Sequence, residues 1–143
     1  VAIRIVRLGT ARHPVEGIRI GIVRRVPRGV PKVQYAQRNF FDLWLPELAP
    51  SGPLVSWALS EPFTPKRWAE YARTYRREMR SPAAQRLMGL LAALSATADF
   101  SLGCYCQDAE HCHRALLRDL LIEHGALFAD MPFDEGNAIA PTN

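Results

Sequence analysis

The sequence predicts a single α/β domain, with three or four short strands in a mainly parallel sheet covered by helices. Three observations carry that expectation. Segments with strand and helix periodicity alternate along the chain. Two pairs, Thr64-Pro65 and Ser81-Pro82, each place a capping hydroxyl before a proline and open a pattern with helical spacing. The 143 residues, 48% of them hydrophobic, suffice for one sizeable core. The domain is expected over residues 1–131, with residues 132–143 as a loosely held, polar C-terminal tail marked by Pro132.

Val1 to Val6 alternates apolar and basic residues, and Gly17 to Val23 repeats the pattern around Arg19, so both read as strands separated by a loop at Gly9 to Glu16. Between Pro27 and Pro53 the chain is interrupted by Gly29, Pro31, Pro46, Pro50 and Gly52, which excludes a long helix and favours a looped segment with short pieces of structure. Trp68, Tyr71, Ala72, Tyr75 and Met79 recur at helical spacing, predicting a helix over about 64–80. Leu87, Leu90, Leu91 and Leu94 give the apolar face of a second, over about 82–97. Asp99 to Cys106 reads as a strand, with Phe100, Leu102, Cys104 and Cys106 on one face and Tyr105 opposite. Asp108 is expected to cap a helix over about 109–124, faced by Leu116, Leu117, Leu120 and Leu121 and stopped at His124-Gly125. Ala126 to Ala129 suggests a last short strand.

With 22% charged and 9% aromatic residues, the composition excludes a disordered or collagenous chain. No apolar run approaches the roughly 20 residues that span a bilayer, and no basic stretch precedes an apolar signal core, so a cytoplasmic protein without membrane association is expected. Three cysteines crowded between positions 104 and 112 suit thiols or metal ligands better than a secreted disulfide framework. The net charge is +4, and of 18 basic residues only Lys32 and Lys66 are lysines, the other 16 being arginines. Arginine's planar fork suits phosphate and carboxylate, so the composition permits anionic partners such as nucleotides or nucleic acid. The plainer explanation is a bias toward arginine with most of these side chains solvated.

The stretch CYCQDAEHCHR, Cys104 to Arg114, is the most informative in the chain. If a strand ends near Cys106 and a helix opens around His111 to Arg114, unpaired backbone N–H groups and the positive helix end gather there. Both favour a bound anion and a thiolate. Cysteine-phosphatase chemistry calls for five residues between cysteine and arginine in a glycine-bearing loop, whereas seven separate Cys106 from Arg114 and the loop has no glycine. Zinc could use Cys104, Cys106, Cys112 and His113, but adjacent ligands at 112 and 113 depart from the usual spacing, and no metal is assigned on that ground. The bland reading has Cys104 facing the core, Cys112 packed under the helix and His113 bonded locally.

A second candidate is the turn Arg24-Arg25-Val26-Pro27-Arg28-Gly29, since ligands of open α/β sheets collect outside the carboxyl ends of strands, where this turn and the loop after Cys106 would face one another. The alternative is a plain turn with solvated arginines. In the proline-framed segment Asp42 to Ser51, Trp44 is expected, like Trp57, to be a core anchor rather than a stacking platform. The sharpest expectation places Arg24, Arg28 and Arg114 around one anion, with His113 as general acid or base and Cys112 as candidate nucleophile.

The chain resembles the YeaO-like proteins of a widespread bacterial family of unknown function. The likeness spans most of residues 1–124. It rests on Gly17-Ile18-Arg19 leading to Arg24 and Pro27-Arg28-Gly29, on Trp44-Leu45 with Glu47-Leu48-Ala49-Pro50-Ser51, on Trp57, on Trp68 with Tyr71 and Tyr75, and on His111 to His113. Cys104, Cys112, His113 and Arg114 match the broader family's cysteine followed by Cys-His-Arg, where the position of Cys106 is commonly glutamate. Where the family pattern reads Asp-Arg-Leu-Trp-Pro-Arg-Gly, this chain has Val23 to Gly29 without the acid or the tryptophan. The resemblance implies a compact α/β fold, supplies no substrate, and argues against zinc because the YeaO-like pattern often keeps the histidine without the cysteines.

Two functions follow as expectations. One is an enzyme acting on a small phosphorylated or nucleotide-like anion at the joined turn and loop. The other is a noncatalytic nucleic-acid or protein-binding module using an arginine stripe at Arg73, Arg77 and Arg80.

Overall fold

The computed structural model describes residues 1–130, so the tail expected over 132–143 lies outside the described residues. Strands β1 (Ile3–Arg7), β2 (Ile18–Gly21), β3 (Leu43–Trp44) and β4 (Phe100–Cys104) form a four-stranded sheet in the order β1-β4-β2-β3. Every pairing is parallel, with Ile5 opposite Leu102, Ile20 opposite Leu102 and Gly21 opposite Trp44. The return from β3 to β4 is made by α1 (Gly52–Ser60), α2 (Pro65–Glu78) and α3 (Pro82–Leu94), and α4 (His113–Glu123) follows β4. Parallel neighbours need such long crossovers, which is why the short strands are spread through the chain.

The caps form as the sequence predicts for α2 and α3: Thr64 Oγ1 accepts from Arg67 N at 3.1 Å and Ser81 Oγ from Ala84 N at 3.2 Å. The two-residue β3 is one of the short pieces of structure expected between Pro27 and Pro53. Three details differ, and the first is α1, which falls where no element is expected. β3 exists through its pairing with β2, and α1 starts at a Ser51 cap with proline in its first turn. α4 begins at His113 rather than near 109, because Cys112 takes the cap position while Asp108 bonds the N–H groups of Glu110 and His111 in a turn of its own. The expected strand at Ala126 to Ala129 reduces to a single bridge between Ile3 and Phe128. Among the described residues, no helix is long and apolar enough to cross a membrane.

The two faces of the sheet are covered differently. Ile3, Ile20, Phe100 and Leu102 point to the helices, where Tyr71, Tyr75, Met88, Leu91, Leu117 and Leu121 complete the main core. The other face is covered by loops, and Leu8 and Phe41 settle onto it. Glycine makes that approach possible: a Cβ on Gly103 would lie 2.4 Å from Leu8, and one on Gly21 equally close to Phe41. Toward the other end of this face lies Arg19, wholly buried, with its fork on Glu16 and on the carbonyls of Thr10, Ala11 and Asn39. Loops bring backbone carbonyls that no ladder satisfies, and one buried arginine satisfies three of them.

Candidate functional site

The carboxyl ends of the strands meet three irregular segments, each held by a side chain from elsewhere. Arg24, just past β2, donates from Nε to Pro50 O at 2.9 Å and from Nη2 to Pro46 O at 3.0 Å and Ala49 O at 3.3 Å. Tyr75 Oη donates to Leu48 O at 2.7 Å, and Glu78 accepts from the Ser51 backbone N–H at 2.9 Å. Trp44, an edge residue 39% exposed rather than a core anchor, donates from Nε1 to Val23 O at 2.7 Å. Trp57 is half-buried against the core, with the Arg67 guanidinium over its ring at 4.0 Å. The segment from Leu45 to Ser51 is therefore fixed by Arg24 and α2.

The Arg24 to Gly29 turn and the Cys104 to Arg114 loop do face one another. Tyr105 Oη donates to Arg25 O at 3.0 Å, and His113 Nε2 lies 2.6 Å from Ile22 O. Arg28 is exposed in this turn, and Gly29 takes φ +75°. Arg114, 3% exposed, ties the loop to β1 by donating to Val6 O at 2.8 Å and Cys106 O at 2.7 Å. Its Nε–H points at Cys112 Sγ, 3.4 Å away.

Cys104, at the end of β4, and Cys112 are buried beside Leu8, Val23 and Phe41, as the packing alternative requires, while Cys106 is exposed. The three sulfur atoms nevertheless all lie within 4.8 Å of one another. His113 Nδ1 stands 3.9 Å from Cys104 Sγ and 3.7 Å from Cys112 Sγ. Hydrogen bonding from Cys104 and Cys106 holds the Cys112 thiol well below its ordinary range against the opposing effect of burial. The hydrogen bonds with Cys106 and Cys112, together with burial, push the Cys104 thiol up. A thiolate on Cys112 also sits at the helix cap, where it accepts from Arg114 N at 3.5 Å.

The same loop exposes a pair that sequence reading passes over. His111, its side chain 47% exposed, has Nδ1 2.8 Å from Asp108 Oδ2, and its ring meets Trp68 edge-on at 5.2 Å. Trp68 in turn stacks on Tyr71 at 5.5 Å. The signal available was the three-residue spacing of Asp108 and His111, masked by reading Asp108 as a helix cap. A separate cleft of ≈ 310 Å³ between α1 and α2 is lined by Ser51, Leu54, Trp57, Glu70, Thr74 and Glu78. Its two carboxylates make it a poor host for an anion. Arg73, Arg77 and Arg80 are exposed along α2 and its end.

A family model described as the active DUF488-N3 subclade matches residues 3–125. No curated protein and no solved structure matches the chain. The match covers both the scaffold that fixes the strand ends and the whole cysteine-histidine loop, and the chain belongs to the DUF488 family, which is the YeaO-like family that its motifs resemble.

Proposed function

We propose that the protein is an enzyme acting on a small phosphorylated or nucleotide-like anion held between the Arg24 to Gly29 turn and the Tyr105 to His111 loop. The observation that carries this reading is the joining of those two segments by Tyr105, which donates to Arg25 O at the carboxyl ends of parallel strands, where ligands of such sheets collect. Arg28 is the fork offered to the anion. Arg24 and Arg114 act as positioning residues, since their guanidinium groups hold the carbonyls that shape the two walls. We assign acid–base work to His111 rather than the enclosed His113, because His111 is exposed and oriented by Asp108. Trp68 and its neighbouring aromatics give a base or sugar an apolar wall. The description of the matched subclade as active supports a catalytic role over simple binding.

The test is product release from a panel of nucleoside mono- and diphosphates, with the wild type beside His111→Ala and Arg28→Ala. The reading predicts turnover of at least one compound, a fall in kcat of roughly 100-fold or more in His111→Ala, and a raised KM in Arg28→Ala. Absence of turnover together with absence of any anion-induced stabilisation contradicts it. If unrelated DNA or RNA binds instead, with an affinity that falls steeply with salt and depends on Arg73, Arg77 and Arg80, the binding-module alternative replaces it.

A further inference from the structure

We propose that Cys104, Cys106, Cys112 and Nδ1 of His113 form a zinc-binding site at the junction of β4 and α4. This inference does not depend on the anion reading. The two adjacent residues that make the spacing unusual are accommodated by the helix start. Cys112 is the cap, with extended backbone (φ −135°, ψ 150°), and His113 is the first helical residue, so their side chains converge instead of diverging around the helix. The result is 3.7 Å between Cys112 Sγ and His113 Nδ1, with Cys104 Sγ 3.9 Å from the same nitrogen.

The tautomer of His113 follows from its other nitrogen. A carbonyl oxygen can only accept, so Nε2, 2.6 Å from Ile22 O, carries the proton, and the lone pair of Nδ1 faces the sulfur atoms. An imidazole whose far N–H is held by a backbone carbonyl is the usual second-shell arrangement of a metal-bound histidine. Ligands at about 2.3 Å for sulfur and 2.0 Å for nitrogen around a tetrahedral ion stand roughly 3.5–3.8 Å apart. The His113 contacts, at 3.7 and 3.9 Å, exceed the nitrogen–sulfur spacing by a few tenths of an ångström, and the three sulfur atoms, all within 4.8 Å, close around an ion by shifts of up to about 1 Å, of which exposed Cys106 makes the largest. Three soft thiolates and one imidazole select zinc over oxygen-seeking cations. Arg114 supports the site from behind, its N–H and Nε both directed at Cys112 Sγ. Zinc bound there would fasten the end of β4 to the start of α4.

The test uses the full, reduced, metal-free chain titrated with cobalt(II) and then zinc(II), beside Cys106→Ser, whose change lies at the exposed member and removes no core packing. The site predicts one equivalent of cobalt with the visible bands of tetrahedral coordination and a sulfur-to-metal charge-transfer band, both abolished by one equivalent of zinc. Zinc should also shield all three thiols from a thiol reagent. In Cys106→Ser, with an unchanged circular dichroism spectrum, the charge-transfer band should fall by about a third and zinc affinity at least tenfold. An octahedral cobalt spectrum without charge transfer, or Cys106→Ser binding zinc as tightly as the wild type, overturns the proposal.

Discussion

Arg19 and Arg114 are both buried arginines that hold backbone carbonyls, 0% and 3% exposed, yet their charges are met in different ways. Arg19 has a carboxylate: both oxygens of Glu16 take its donors at 2.8 and 2.9 Å, and Ser101 Oγ donates to the same carboxylate at 2.7 Å. Every partner in that network belongs to the loop-covered face of the sheet and is satisfied within it. Arg114 has two carbonyls and a cysteine sulfur, and no carboxylate bonds it among the described residues. A closed ion pair fixes a fold, whereas a buried cation met by a sulfur that also faces a histidine lone pair suits chemistry. The comparison separates an end of the sheet that is satisfied within itself from the end where we propose the function lies.

The largest way to break that contrast is Arg19→Met. It strands the Glu16 carboxylate in the interior and should cost about 3–5 kcal/mol in urea denaturation, with Glu16→Gln in the same chain recovering much of the loss. A cost under about 1 kcal/mol would mean that the network is incidental.

Next is pH. Burial alone would raise Glu16, but the hydrogen bonds of Arg19 and Ser101 outweigh it and hold the group at about 2, against an ordinary 4.5. A folded value below the unfolded one gives stability that is fully present above about 4.5 and lost as the pH falls toward 2. The difference amounts to roughly 3 kcal/mol. Urea midpoints between pH 5 and pH 2 should therefore fall in the wild type, and Glu16→Gln should flatten that descent. Smaller still is Arg114→Met, which leaves two carbonyls short of a donor but orphans no carboxylate, for roughly 1–3 kcal/mol. If Arg114→Met proves as damaging as Arg19→Met, the two arginines do the same job and the contrast fails.

How much of this is legible in the sequence differs between the two ends. Alternation finds β1 and β2 but cannot tell that Arg19 faces inward, because Glu16, Thr10 and Asn39, which enclose it, arrive on loops whose paths periodicity does not encode. The end proposed for function is better marked. The Cys104 to Arg114 stretch and the Arg24 turn stand out by composition, and the rule that sites gather at strand ends anticipates that they meet. What remains hidden there is the helix boundary. Moving the cap from Asp108 to Cys112 frees Asp108 to orient His111 and turns Cys112 and His113 toward one another. The glycine and proline at 52 and 53 conceal α1 for a related reason: they read as a break, while behind the Ser51 cap they open a helix.

The most direct test of the proposed anion site is a crystal of the full chain soaked in sulfate or phosphate. The account predicts an anion between the Arg24 to Gly29 turn and the Tyr105 to His111 loop, within hydrogen-bond reach of Arg28, and its loss in Arg28→Ala. Anion density confined to Arg73, Arg77 and Arg80, with none at the strand ends, would contradict it.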